Sequence, residues 1–148
     1  MRPHRAATMA IALLSCAVLL FELVLLRIFS FAIWHHFASM VLSIALLGFG
    51  VGGIALQLRP ALGAPAAARA GRYALLFGVA AALAVALVAR VPFDPTKLAS
   101  EPVQALYLAL YYAVLAVPFA FGGLGVVVLL GGDPERSSSL YGADLAGA

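Results

Sequence analysis

Glu22 offers the clearest chemistry in this sequence, because it places a carboxyl group inside a long apolar run. At a rise of about 1.5 Å per residue, it lies within a few ångströms of the middle of a helix over residues 8–31. An ionisable group at that depth in a bilayer costs several kcal/mol unless it is paired, protonated or in a wet cavity. We expect a neutral Glu22 that donates a hydrogen bond to a neighbouring helix, with a functional proton or ion site as the alternative.

Ser15 and Arg27 are the polar residues nearest to Glu22 in the same predicted helix. Ser15 precedes Glu22 by seven residues, so both lie on one helical face and can belong to one polar group. Arg27 follows Glu22 by five residues, which places the two side chains about 140° apart and not on adjacent positions. We expect Arg27 to extend to the membrane interface. Glu22, Arg27 and Ser15 form the candidate intramembrane polar site.

Trp34, His35 and His36 lie where the first apolar run passes into the second. Adjacent histidines point in different directions, and no other His or Cys set has ligand spacing, so a metal or haem site requires ligands from other chains. The favoured interpretation is an interfacial group in an aromatic belt. Cys16 is the single cysteine, which excludes an intrachain disulfide and a multi-cysteine zinc site.

Glycines in the second apolar run match a nucleotide-binding pattern in letters only. Gly48, Gly50 and Gly53 fit G-x-G-x-x-G, but that motif needs a preceding strand and an acidic residue about 20 positions later. Here the glycines lie inside an apolar helix, so we predict no dinucleotide site. Gly48 and Gly52 instead form a G-x-x-x-G face for close helix packing. The predicted helix-packing residues are Gly48, Gly52, Gly53, Pro118, Gly122 and Gly123.

The overall composition predicts a membrane protein. Of the 148 residues, 65% are hydrophobic and 10% are charged, with a mean hydropathy of +1.09; soluble domains are about half apolar and about a quarter charged. Four stretches have about the length that crosses a bilayer: residues 8–31, 37–58, 73–89 and 103–130. The predicted fold is therefore an all-α transmembrane bundle of four helices plus the start of a fifth.

Charge distribution and composition also indicate the partners. The net charge of +3 is spread over loops and termini without interleaved aromatic residues, so no nucleic-acid partner is predicted. The lipid bilayer and other transmembrane helices, from copies of the chain or from a larger complex, are the expected partners. No nucleophile–base–acid arrangement, phosphate-binding loop or paired-carboxylate motif is found, and no cofactor is predicted.

Three segments carry local predictions. Asp94 before Pro95 is typical of an N-cap followed by proline at the first helical position, which predicts a single helical turn there. Pro118 lies near the middle of a run that is longer than a straight crossing requires, so we expect the helix to tilt, protrude or kink. Residues 58–71 are rich in Ala, Gly and Pro and are predicted to be a flexible linker.

Basic residues set the predicted orientation. With helices that alternate in direction, six Lys or Arg residues outside the apolar runs fall on one side and two on the other. Because Lys and Arg are enriched in cytoplasmic loops, both termini are predicted to lie on the cytoplasmic side of the cytoplasmic membrane. A signal peptide cleaved near residues 30–32 is the alternative, but the first run is too long and contains Glu22 and Arg27.

Short motifs along nearly the whole chain resemble one known family. They are Phe21-Glu22-Leu23, residues 27–30, 34–38 and 43–48, Pro92-Phe93-Asp94, residues 107–112, Pro118-Phe119, Gly123 and residues 140–148. Together they resemble the N-terminal membrane region of spermidine-synthase-like integral membrane proteins. In that family, further helices follow and then a soluble Rossmann-like domain, which is similar to aminopropyltransferases and S-adenosylmethionine-dependent methyltransferases.

The resemblance implies a membrane region without the catalytic domain. We expect the chain to be truncated at Ala148, in the fifth helix, so no catalytic residue of the family carries over and the chain is expected to be inactive alone. Two alternatives stay open. One is a small accessory subunit that docks onto a larger membrane complex. The other is a transporter fragment, with Glu22 as its proton site and residues 118–123 as a substrate-facing bend.

Overall fold

The computed structural model describes residues 3–32, 38–58, 65–132 and 137–148. These residues form five α-helices and one short 3-10 turn, and the described part contains no strand, which confirms the all-α prediction. The helices are α1 (Pro3–Ala32), α2 (Ala38–Leu58), α3 (Ala66–Val88), α4 (Pro102–Gly131) and α5 (Ser137–Gly147), and the 3-10 turn covers Pro95–Lys97. Helices α1 to α4 are long and apolar enough to cross a membrane.

The observed helix bounds differ most from prediction at the start of α3. This helix begins at Ala66, inside the segment that was predicted to be a flexible linker, so the linker prediction is wrong for residues 66–71. The segment consists mainly of alanine and arginine, which are among the strongest helix formers, and it continues without a break into the apolar span.

Helix α4 occupies the centre of the bundle. In its most apolar stretch 56% of the residues are buried, compared with 11% for α3, although α3 packs extensively on α4. The main core brings together side chains from four helices: Val18, Leu25 and Phe29 of α1, Val41 and Ile44 of α2, Phe77 and Ala84 of α3, and Tyr111, Leu115 and Phe119 of α4. A helix with this many neighbours needs small residues on several faces.

Glycines allow the backbones of neighbouring helices to approach each other closely. A Cβ at Gly48 would lie 2.6 Å from the carbonyl oxygen of Ala116, and one at Gly52 would lie 2.6 Å from that of Ala120, so the predicted G-x-x-x-G face packs on the α4 backbone. A Cβ at Gly53 would have no described atom within 4 Å. Gly53 lies one position away from this contact face, and no packing contact for it is found within the described residues, so its role in packing stays a prediction.

The glycines of α4 contact other helices. A Cβ at Gly122 would lie 2.7 Å from Cγ2 of Val18 on α1, and one at Gly123 would lie 2.7 Å from Cδ1 of Phe49 on α2. Pro118 is fully buried, and α4 is helical on both sides of it. Helix α4 therefore continues through residues 118–123, and the predicted kink or bend at this segment stays a prediction.

Hydrogen bonds from polar side chains stabilise the connection between α3 and α4. The Asp94 carboxylate accepts hydrogen bonds from the Thr96 hydroxyl at 2.7 Å and the Thr96 backbone N–H at 3.0 Å, which confirms the predicted cap. These bonds lower the pKa of Asp94 from its ordinary value of 3.8. The buried Gln104 accepts from the Asp94 backbone N–H at 3.0 Å. The Tyr111 hydroxyl shares its proton between carbonyls of residues 88 and 91, at 3.1 and 3.2 Å.

Candidate intramembrane polar site

A cavity of about 230 Å³ lies between α1 and the helices around it. Four helices line it: Ser15, Val18, Leu19 and Glu22 of α1, Phe49 of α2, Val126 of α4 and Asp144 of α5, with Ala148 after α5. Apolar side chains form most of the wall, and three oxygen-bearing side chains interrupt it. This volume has space for water molecules, and the polar side chains can bind them.

The polar side chains of this cavity lie at mid-membrane depth. Glu22 is 4.5 residues from the midpoint of Pro3–Ala32, which corresponds to about 7 Å along the axis. Ser15 is 2.5 residues from the midpoint on the other side, or about 4 Å. Both are therefore well inside the roughly 30 Å hydrocarbon layer, where polar groups are costly unless they have partners or water.

Ser15 finds its partner on another helix. Its hydroxyl donates a hydrogen bond to Oδ1 of Asp144, although the two residues are 129 positions apart in the chain. The Ser15 side chain is almost completely buried, with 7% exposed, so this contact replaces hydration. Asp144 was not among the predicted site residues, because its distance from α1 could not be read from the sequence.

Glu22 lines the same cavity without such a partner. It is partly exposed, and no hydrogen bond or ion pair joins it to another residue that the structure describes. The expected hydrogen bond from Glu22 to a neighbouring helix is therefore not found in the described part of the chain. Its carboxyl group is instead available to the cavity, which is the environment that the alternative functional interpretation requires.

The position of α5 brings Asp144 to this depth. Gly147 lies against the backbone of Ala12, where a Cβ would not fit, and Leu140 is buried in a second apolar cluster with Ile11 and Leu129. Residues spaced by three or four positions share one face of a helix, so Leu140, Asp144 and Gly147 all face α1.

Other predicted site residues lie away from the cavity. Arg27 is exposed, five residues beyond Glu22, and is not part of the cavity wall. Trp34, His35 and His36 lie outside the described residues, so their interfacial position stays a prediction. Within the described ranges, no group of three His, Cys, Asp or Glu residues is placed to hold a metal ion.

The cavity can bind a proton, water or a small polar ligand. Two carboxyl groups and one hydroxyl supply oxygen ligands, and no basic side chain is part of the described wall.

Comparisons with known proteins give no further information about this cavity. No protein-family model, no curated protein and no solved structure matches the chain.

Proposed function

We propose that the chain is the membrane-embedded N-terminal region of a spermidine-synthase-like membrane protein, and that it has no transferase activity by itself. One observation carries this proposal. Glu22 and Asp144 belong to the first and last of the resembling motifs, and they line one cavity. Motifs that are far apart in sequence and adjacent in space are what a shared membrane site requires.

Other resembling residues form the frame of that site. Phe21, beside Glu22, packs on Phe77 with ring centroids 5.9 Å apart and on Phe119 with centroids 5.3 Å apart. Phe29 and Phe93 both pack on Tyr111, at 5.9 and 5.4 Å. The family motifs thus coincide with the residues that join α1, α3 and α4, which supports the resemblance over a chance match in apolar composition.

Calorimetry with S-adenosylmethionine tests the absence of catalysis. We expect no saturable binding and no aminopropyl or methyl transfer by the purified chain, because the proposed function assigns that chemistry to a separate soluble domain. Saturable binding would overturn this part of the proposal.

The reading frame that encodes the segment after residue 148 tests the family assignment. We expect further apolar helices and then a strand, a glycine-rich loop and an acidic residue, as in a Rossmann-like domain. A stop codon directly after residue 148 would favour the accessory subunit, which would dock through exposed apolar residues such as those of α3.

The proposed location is the cytoplasmic membrane, with the start of α1 and the end of α4 on the cytoplasmic side; α5 then re-enters the bundle, so the predicted cytoplasmic position does not extend to Ala148. Arg5 and Arg72 lie near the ends of α1 and α3 that face one side of an alternating bundle, while Arg90 and Lys97 lie in the connection on the other side. A reporter fused after Gly132, at the end of α4, should be active in the cytoplasm, because Ala148 itself lies in the wall of the cavity. Activity on the opposite side would require a different number of crossings.

A transporter fragment is the second candidate, because Glu22 contacts a cavity and lacks a described partner. In this function Glu22 binds and releases a proton as the cavity changes access. Proton uptake by proteoliposomes containing the protein tests it. Glu22→Gln should abolish uptake while folding is retained, and unchanged uptake would exclude Glu22 as the proton site.

A further inference from the structure

Helix α5 is attached to the bundle through few buried side chains. Within Ser137–Gly147, Leu140 is the one buried residue. Tyr141 and Leu145 are 56% and 60% exposed. In contrast, α1 contributes several fully or almost fully buried side chains to the main core, such as Leu25 and Phe29. The hydrophobic contribution to holding α5 is therefore small relative to that of the other helices.

The remaining contacts of α5 with α1 lie beside the cavity. The Ser15 hydroxyl donates to Asp144, and Gly147 contacts the backbone of Ala12. Asp144 and Ala148 also form part of the cavity wall, opposite the α1 residues that include Glu22. A displacement of α5 would therefore break the Ser15–Asp144 bond and open the cavity in one step.

We propose that α5 is a movable wall of this partly open cavity, and that the Ser15–Asp144 hydrogen bond is the latch that holds α5 against α1 beside Glu22. The small apolar contact area of α5 lowers the cost of displacing it, whereas the bond joins two polar side chains that are costly to leave unpaired at mid-membrane depth. A hydrogen bond between membrane helices changes an equilibrium constant by about threefold on average and by about twentyfold at most.

The latch is argued from the contacts of residues 137–148 in the chain as given, and the family assignment is tested separately by the reading frame. The experiment can therefore fail while the proposed function stands, and it can succeed if the family assignment is wrong.

Thiol accessibility measures the open fraction of the cavity. The parent for the test is the full chain in nanodiscs, with Cys16→Ala to remove the native thiol and Leu19→Cys to place a reporter in the cavity wall. The rate of modification by a small water-soluble thiol reagent reports opening. We expect Ser15→Ala and Asp144→Ala each to raise this rate about three- to twentyfold.

Two further variants separate the latch from general loosening. Asp144→Asn retains an acceptor oxygen for Ser15, so its rate should stay near that of the parent. Ser43→Ala removes a hydroxyl whose described hydrogen bond is to the backbone of its own helix, at 3.4 Å from the Ser39 carbonyl, and should leave the rate unchanged. A rate within twofold of the parent for both Ser15→Ala and Asp144→Ala would overturn the latch.

Hydrogen exchange in the unmodified protein provides a test that does not depend on any variant folding. If α5 moves as a wall, amides of residues 140–147 exchange faster than those of residues 115–129 in α4, while α1 stays protected. Equal protection of α5 and α4 would mean that α5 is a fixed part of the bundle, and the proposal would be wrong.

Discussion

The α2–α4 and α1–α5 contacts join helices in two different ways. Between α2 and α4, Gly48 and Gly52 bring two backbones together, and the facing positions are Ala116, Phe119 and Ala120. Between α1 and α5, one glycine contact and one buried leucine accompany a hydrogen bond, and a cavity lies beside them. The first contact consists of backbone and apolar atoms, whereas the second includes polar side chains and lies beside a cavity.

The α2–α4 contact fixes the arrangement of the helices, whereas the α1–α5 contact lies where the helices can rearrange around a bound ligand. A packed glycine face has one arrangement, because any shift replaces close contacts with clashes or voids. A polar contact beside a cavity tolerates a second arrangement in which water or a ligand satisfies the same groups. The candidate site lies in the second kind of region, which is the kind that the proposed exchange of a proton or ligand requires.

The largest expected effect is from Gly52→Leu in the α2–α4 contact. Its Cβ would lie 2.6 Å from the Ala120 carbonyl oxygen, and backbone atoms of α4 cannot rotate away, so the free energy of unfolding should fall by roughly 1–3 kcal/mol or more. Denaturant unfolding in detergent, followed by circular dichroism, measures this. Gly53→Leu is the matched control because its Cβ has open space. Equal losses in both variants would contradict the assigned contact face.

Gly147→Leu should have a smaller and more local effect. Its side chain would meet the backbone of Ala12, so α5 should separate from α1 while α2, α3 and α4 stay packed. We expect a loss on the order of 1 kcal/mol, with faster hydrogen exchange confined to residues 137–147. Gly142→Leu, with no described atom near its Cβ, is the control. Loss of protection throughout α4 would show that the two contacts are not independent.

Substitutions of Glu22 should change stability less than Ser15→Ala does. Ser15→Ala removes one interhelical hydrogen bond, worth about 0.6 kcal/mol on average. Glu22 has no such bond to lose in the described structure, so both Glu22→Gln and Glu22→Leu should remain within that amount. The same unfolding assay checks this. A larger loss for Glu22→Leu than for Ser15→Ala would reveal a partner for the carboxyl group.

The smallest effect should come from Asp94, outside both contacts. Its pKa is lowered by hydrogen bonds from Thr96, so the carboxylate stabilises the fold above pH 3.8 and loses this contribution as the pH falls through the lower folded pKa. The thermal unfolding midpoint should therefore decrease slightly in acid, and Asp94→Asn should remove that part of the decrease. Superimposable pH profiles of the two proteins would show that the cap does not contribute.

Local signals in the sequence predicted most of the fold. Hydrophobic length located four spans within a few residues at most ends, and Asp94–Pro95 located the turn between α3 and α4. The G-x-x-x-G spacing identified Gly48 and Gly52, since residues four apart share a helical face. Gly53 does not share the face of Gly48 and Gly52, because adjacent residues on a helix point in different directions.

The candidate site was only half predictable for a physical reason. Glu22 is conspicuous because a carboxyl group in an apolar run is expensive, whereas the pairing of Ser15 with Asp144 depends on how α5 returns along α1. No local sequence pattern predicts that α5 packs along α1. The spacing of Leu140, Asp144 and Gly147 on one face of α5 was the available signal, and it predicts a contact face without naming the helix that it meets.

The central position of α4 also has a consequence for biosynthesis. Ribosomes deliver α1, α2 and α3 before α4, yet the glycine face of α2 packs on α4, and α3 has most of its contacts with α4 as well. Until α4 is inserted, the earlier helices have little to bind except lipid or the insertion machinery. Assembly therefore completes late, and a ribosome that stalls before residue 116 leaves three inserted helices without the partner that joins them.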